Sequence, residues 1–444
     1  MPGDAVSDAL SIFGAAADAG VALALVDGER RHTFADLARL AQRRLDDLRP
    51  ATLGQAAVPI VGRNSVEAIV TLYALLELRA AALLLHPKAT AAEHAAEIGH
   101  VAAHAGLPAG AAVIVHTSGT TGRARGAVLT RDALLASARA SAANLGWHDD
   151  DCWGLAMPLA RVGGLSIVTR CLAARRAVAL APAFDAAQLP RWIDEQRVTL
   201  LSLVPTMLAM LLDAHPRWQP PPHLRAVLLG GDAAPAALRR RAAERGLPIV
   251  VTYGCTETCS QVAATPYALR FDAARGGVGP ALPGAELRVD DGRILVRGPM
   301  RMAGYVGEPA LAADAWFDTG DLGALGADGW LHVHGRRADV IVTGGENVYP
   351  AEVERVLEAL PGIDAAAVFG LADELWGQTV AAALVAPGPR PRDTDLAALL
   401  RERLAPHKRP RRIAWVDALP KTPAGKLDRA ALPALAHALR PLRG

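Results

Sequence analysis

His116-Thr117-Ser118-Gly119-Thr120-Thr121-Gly122-Arg123-Ala124-Arg125-Gly126 follows directly on the apolar run Ala111-Ala112-Val113-Ile114-Val115. A strand entering a loop of hydroxyls, glycines and two cations can offer backbone N–H groups, O–H donors and positive charge to an oligophosphate. No spacing of these glycines gives G-x-x-x-x-G-K-[ST], and the dinucleotide pattern G-x-G-x-x-G is absent as well. A polar surface turn has the same composition, so taken alone the loop leaves both readings open. What separates them is the order of the motifs that follow.

The 444 residues are comfortable for two or three domains, and 47 Lys+Arg against 45 Asp+Glu leave a net charge of +2. That balance excludes a general nucleic-acid binder. The basic runs Arg239-Arg240-Arg241 and Lys408 to Arg412 are expected to be solvated helix or loop faces. Cys152, Cys171, Cys255 and Cys259 form no C-x-x-C pair, which argues against a structural zinc site or a disulfide framework and fits a reduced cytoplasm. The start Met1-Pro2-Gly3-Asp4 lacks the basic-then-apolar pattern of a signal peptide. The longest apolar segment, Ala68 to Leu85, carries Glu77 and Arg79 in its middle. It is expected to be a buried helix running into a strand, with no membrane span.

Helix-like and strand-like pieces alternate along the chain. Helices are expected over Phe34–Leu48, with Thr33 as the cap, over Glu67–Leu78 and over Arg131–Leu145. Strands are expected at Val58–Val61, Val198–Val204, Ala226–Leu229 and Ile249–Tyr253. Strands separated by helices imply a mostly parallel sheet, and ligands of such sheets gather beyond the strands' carboxyl ends. From Gly277 to Trp330 the texture changes to short strands and turns, which suggests a small β subdomain. The last unit has its own alternation at 350–360, 365–369, 380–385 and 393–404, with Pro387 to Pro391 as a loop.

Four further motifs carry chemistry. Tyr253-Gly254-Cys255-Thr256-Glu257-Thr258 sets one carboxylate among hydroxyls after a strand. A lone Glu in a loop is ordinarily just solvated. Beside a triphosphate it is the natural anchor for Mg²⁺, which takes one or two carboxylates together with phosphate oxygens and water. Trp316-Phe317-Asp318-Thr319-Gly320-Asp321 places two aspartates around a turn that an Asx motif alone could explain. Gly335-Arg336-Arg337-Ala338-Asp339 leads into Thr343-Gly344-Gly345-Glu346-Asn347-Val348-Tyr349-Pro350, where the glycine pair permits close approach of an extended ligand. Pro420-Lys421-Thr422-Pro423-Ala424-Gly425-Lys426 puts a lysine on a turn near the C-terminus. Such a lysine is solubilising unless the fold carries it to a phosphate site.

All five motifs, in this order from about Thr33 to Arg429, resemble the adenylate-forming superfamily of acyl-CoA synthetases, adenylation domains and luciferases. The resemblance implies an α/β fold: a large N-terminal domain of stacked, mostly parallel sheets with flanking helices and a small β subdomain, then a small mobile α+β C-terminal domain. The division falls at 1–335 and 336–444. It also implies ATP, Mg²⁺ and coenzyme A as cofactors, a small carboxylic acid as substrate, and an acyl-adenylate that is passed to a thiol. By that similarity Thr117, Ser118, Gly119, Thr120, Thr121, Gly122 and Arg125 hold the phosphates, while Glu257 and Thr120 hold the metal. Gly230, Gly231, Asp232 and Tyr253 flank the adenine. Thr256 lies near the α-phosphate, Asp321 and Arg336 bind ribose, and Lys426 bridges carboxylate and α-phosphate. Gly344 and Gly345 swing in toward the thiol when the C-terminal domain rotates.

Two departures stand out. The phosphate loop usually ends Pro-Lys-Gly, and here it ends Ala124-Arg125-Gly126, which keeps the charge and changes its shape. The hinge position after Gly-Arg-x is often a charged residue in the family, and here it is Ala338 with Asp339 next, so the hinge is expected at one of these two. The early phosphate loop and the segments Tyr253 to Gln261 and Thr343 to Pro350 look like the 2-succinylbenzoate–CoA ligases of menaquinone synthesis. Against them, Met157 to Ser166 carries Arg161 where many relatives have an aromatic-plus-His pair. Arg161, Gly164, Gly254 and Ser260 are the expected acid-pocket residues, and Arg161 could meet a second substrate carboxylate. A ligase for another aryl or short acyl acid, a stand-alone enzyme loading a carrier protein, and a non-catalytic binding protein remain as alternatives. A homodimer is kept open as the assembly.

Overall fold

Short apolar strands, most of them followed by a helix, build two sheets that share one core. The computed structural model describes residues 8–52, 56–104, 106–117, 125–272, 275–343, 346–422 and 426–442. The larger sheet has eight strands, in the order Ser260–Ala264, Ile249–Cys255, Ala226–Leu229, Leu200–Leu203, Cys152–Leu155, Ala177–Leu180, Leu23–Asp27 and Arg30–Thr33. Its six inner strands run parallel and the outermost strand at each end is antiparallel. Inner strands such as Ala226–Leu229 are buried at every position, as a sheet covered on both faces requires.

A second sheet has the order Gly304–Tyr305, Arg125–Thr130, Ala111–Thr117, Ala82–Leu85 and Val58–Val61. The last three of its strands are parallel. One continuous apolar core draws Leu25, Trp153 and Leu180 from the first sheet, Ile60, Leu84 and Val115 from the second, and the helices Phe34–Thr52, Val66–Glu77, Arg131–Leu145 and Val162–Ala174. A separate cluster covers the other face of the larger sheet, with helices Leu189–Glu195, Pro205–Ala214 and Ala236–Glu244. Strands Glu286–Asp290, Arg293–Arg297, Phe317–Leu325 and Leu331–Arg336 form the antiparallel β subdomain expected over Gly277 to Trp330. Past it, Ile341–Thr343, Glu346–Val348, Ala365–Asp373, Gly377–Val385, Arg412–Trp415 and Arg440–Pro441 make a six-stranded sheet with its own core.

The expected elements recur with informative differences. Thr33 does cap its helix: Asp36 N–H donates to Thr33 Oγ1 at 3.1 Å while Thr33 N–H donates to the Asp36 carboxylate at 2.9 Å. That reciprocal pair is a capping box with Asp in place of Glu. The apolar segment from residue 68 is a helix, Val66–Glu77, running into the strand Ala82–Leu85. Its two charges sit at the turn between them. Glu77 accepts from Ser11 Oγ at 2.7 Å, and Arg79 pairs with Asp8 at 2.7 Å. Among the described residues no helix is long and apolar enough to cross a membrane. The run from Lys408 is less a solvated face than expected, since Lys408 pairs with Glu352 at 2.8 Å and Arg409 donates to the Leu404 carbonyl at 2.9 Å.

Candidate active site

The carboxyl ends of both sheets open on one cleft. Thr117 pairs with Arg125 at the base of the hydroxyl-and-glycine loop, and its Oγ1 donates to the Arg125 carbonyl at 3.4 Å. Ser118, Gly119, Thr120, Thr121 and Gly122 lie outside the described residues, as do Gly344 and Gly345. Arg125 is described. Its guanidinium lies 3.8 Å from the centre of the Tyr305 ring and donates to the Tyr305 hydroxyl at 3.0 Å. Tyr305 O–H in turn donates to Glu257 Oε1 at 2.7 Å. Burial and the Glu257 charge push the Tyr305 hydroxyl upward, so it stays a donor. Arginine at the loop's end is thus tied to the candidate metal carboxylate through one ring.

Glu257 owes its position to a tight turn. Strand Ile249–Cys255 ends in the 3₁₀ turn Thr256–Thr258, after which Cys259 and Ser260 adopt φ of +48° and +88°. Thr258 Oγ1 accepts from Cys255 N–H at 3.0 Å and donates to the Ser260 carbonyl at 2.9 Å. Gly254 has no room for a side chain, because a Cβ there would lie 1.6 Å from that carbonyl. Gly254 and Ser260 therefore build the turn's backbone. Gly164 is buried in the same manner, its Cβ position 2.3 Å from the Pro158 carbonyl.

A second knot lies across the cleft. Tyr253 O–H donates to Asp321 at 2.8 Å and Arg336 Nε pairs with Asp321 at 2.9 Å. Arg336 also donates to the Thr319 carbonyl at 3.1 Å. Burial raises the Asp321 pKa while Arg336 and the Tyr253 hydroxyl pull it back. A carboxylate has about four lone-pair sites, so two remain for further donors. Gly230, Gly231 and Asp232 follow strand Ala226–Leu229, and Asp232 accepts from Ala233 N–H at 2.8 Å.

Arg161 precedes helix Val162–Ala174 and is exposed to the cleft, its guanidinium 3.5 Å from the His116 carbonyl. His116 Nδ1 lies 3.7 Å from Glu97. Burial, with a smaller push from His100, lowers His116 to about 4, so at neutral pH it is uncharged and this contact is not an ion pair. The Lys426 carbonyl accepts from Thr422 N–H at 2.7 Å. Its side chain is exposed, yet the cleft walls strip enough water to lower its pKa. Asp232 opposes that shift, and Arg336 and Arg161 reinforce it. Lys426, near the far end of the chain, thus feels the charges of Asp232, Arg336 and Arg161.

Among the described residues no group of three His, Cys, Asp or Glu could hold a metal by itself. One carboxylate is all that Mg²⁺ needs when phosphates supply the other oxygens, so Glu257 fits that ion. Tyr305 was missing from the sequence-based set. It stands 48 residues from Glu257 with no surrounding motif, and only the fold brings it there.

Fold and cleft define the class. The chain belongs to the AMP-binding enzyme family, whose description matches residues 107–306, with the AMP-binding enzyme C-terminal domain matching 352–426. Within that class it is 36% identical over 461 residues to 2-succinylbenzoate–CoA ligase of Geobacillus kaustophilus, covering 92% of this chain and 94% of that one. The o-succinylbenzoate CoA synthetase of Bacillus subtilis with its acyl-adenylate intermediate superposes with a TM-score of 0.83, at 30% identity over 96% of this chain and 98% of the other. The same enzyme with ATP and magnesium ion gives 0.84, at 29% identity over 96% and 99%.

Proposed function

We propose that this chain is an ATP-dependent 2-succinylbenzoate–CoA ligase of menaquinone synthesis. The observation that carries this reading is likeness from end to end, 92% of this chain against 94% of a ligase with that substrate in its name. In the first half-reaction an oxygen of the acid's carboxylate bonds to the α-phosphorus of ATP, and pyrophosphate leaves with the electrons of the broken P–O bond. In the second, the thiol of coenzyme A loses its proton and its sulfur bonds to the acyl carbon, expelling AMP.

The residue roles are those that the resemblance to the adenylate-forming superfamily implies. Thr117 to Arg125 cradle the β- and γ-phosphates, with Arg125 held by Tyr305. Glu257 with Thr120 would hold Mg²⁺, which supplies charge neutralisation on the phosphates. Thr256 lies near the α-phosphate. Tyr253 with Gly230-Gly231-Asp232 flanks the adenine, and Asp321 with Arg336 takes the ribose hydroxyls. Lys426 lies between carboxylate and α-phosphate, where a fixed cation stabilises charge that grows in the transition state. Arg161 receives the substrate's second carboxylate, as an exposed cation at the start of helix Val162–Ala174.

The larger unit runs to residue 335 and the smaller from 336, and rotation about Ala338–Asp339 exchanges Lys426 for the Gly344-Gly345 loop between half-reactions. Four free cysteines and the use of ATP and coenzyme A suit a cytoplasmic enzyme. A homodimer is its proposed assembly, checked by sedimentation. Pyrophosphate release and thioester formation across a panel of acids, with coenzyme A or a carrier protein as acceptor, test the assignment. Turnover of benzoates with none of succinylbenzoate sinks it.

A further inference from the structure

We propose that Arg170, acting through Ser137, is a positioning residue for adenylate formation: it clamps the left-handed turn Cys259–Ser260 and so fixes Glu257 in the cleft. This rests on the adenylate-forming role proposed above. Arg170 lies in the middle of helix Val162–Ala174 and is only 2% exposed. No carboxylate among the described residues offsets its charge, and its Nε has no hydrogen-bond partner. Burial lowers its pKa to about 10, which leaves it a cation at neutral pH.

A buried cation without a counter-ion is costly, and an apolar side chain would fill this part of the core at less expense. The Arg170 guanidinium lies 5.9 Å from the centre of the Trp153 ring, and among the described residues its one side-chain hydrogen bond is directed at Ser137. Its guanidinium donates to Ser137 Oγ at 3.1 Å, and the Ser137 hydroxyl donates to the Cys259 carbonyl at 2.6 Å. Ser137 is itself 3% exposed. The order of donors is fixed, because a guanidinium can only donate and the serine must then spend its proton on the carbonyl. Each bond polarises the next.

The carbonyl at the end of that chain belongs to the first of two consecutive non-glycine residues with positive φ. Such a backbone is strained and persists only where its surroundings over-determine it. Within the turn the fully buried Thr258 Oγ1 holds the Ser260 carbonyl, and from helix Arg131–Leu145, Ser137 holds the Cys259 carbonyl. Glu257 stands two residues before that second anchor. Its own carbonyl is pinned by Met302 N–H at 2.7 Å, so a shift of the turn moves the carboxylate relative to Tyr305.

The test compares Ser137→Ala, Arg170→Met and Arg170→Lys with the parent protein. Calorimetric ATP affinity in magnesium buffer should fall on the order of tenfold in Ser137→Ala, and affinity in chelator should not change. The kcat of pyrophosphate exchange should fall with it, while thioester formation from preformed acyl-adenylate stays within about twofold. Arg170→Lys should recover part of what Arg170→Met loses. Folded Ser137→Ala with parent-like magnesium-dependent affinity and exchange overturns the proposal, and so does equal loss in both half-reactions, the mark of a plain core defect. Should Arg170→Met fail to fold, Ser137→Ala decides alone. A parent protein without exchange for any acid would instead overturn the functional reading beneath it.

Discussion

At the scale of single residues the cleft works by placing cations where negative charge will gather. Lys426→Ala should abolish adenylate formation and leave thioester formation from preformed adenylate largely intact, as single-turnover assays of each half would report. Because the cleft lowers the Lys426 pKa below the ordinary 10.5, the alkaline limb of kcat/KM for adenylation should fall early. The sign follows from the protonated form being the useful one: activity is complete below that lowered pKa and lost as pH rises through it. Lys426→Arg should move the limb to higher pH, and an unmoved limb would assign it to another group. Arg161→Ala should raise the KM for succinylbenzoate about tenfold or more with little change for ATP. An unchanged KM would remove Arg161 from the pocket. Glu257, Asp321 and Arg336 were legible because each sits in a short motif of its own. Tyr305 and the Arg170–Ser137–Cys259 chain were not, since partners 48, 33 and 122 residues apart leave no local pattern.

At the scale of elements, three parallel strands of the larger sheet begin at one buried knot. Asp151, 2% exposed, accepts from Thr199 Oγ1 at 2.7 Å and Arg225 Nε at 2.8 Å, while Cys152 N–H donates to Thr199 Oγ1 at 3.0 Å. Asp151→Asn should cost about 3–5 kcal/mol in urea unfolding, because it leaves Arg225 without its charge partner. Burial alone would raise the Asp151 pKa, but the bonds from Arg225, His148 N–H and Thr199 outweigh it and hold the carboxyl below its ordinary 3.8. The stability from that pair is therefore present above about pH 4 and lost as pH falls through the lower folded value. Acid titration of the parent should show this loss and Asp151→Asn should lack it. All-apolar strands such as Ala226–Leu229 were readable directly. Helix Val162–Ala174 was not, because Gly163 and Gly164 in its first turn carry poor helix propensity and tertiary packing supplies what they lack. The strand expected over Val198–Val204 ends at Leu203, and Pro205 is the first residue of helix Pro205–Ala214.

At the scale of the whole molecule, the C-terminal sheet has its own core, and Lys426 beyond it feels the charges of Asp232, Arg336 and Arg161. Asp339, in the proposed hinge, pairs with Arg429 at 3.2 Å, and Arg429 also grips Glu354 at 2.9 Å. These contacts tie the lysine-bearing segment to the hinge, so that both move as one body in the proposed rotation. In the proposed mechanism the phosphate loop at residues 116–126 and Lys426 are two halves of a single site, closed for adenylation and opened for thioester formation. The most direct test is a paired assay on the parent protein: pyrophosphate release with 2-succinylbenzoate and ATP, followed by thioester formation on adding coenzyme A. The expected result is succinylbenzoate-dependent pyrophosphate release, a stable bound acyl-adenylate without coenzyme A, and stoichiometric conversion to thioester once it is added. Pyrophosphate release with other acids only, or none at all, would contradict it.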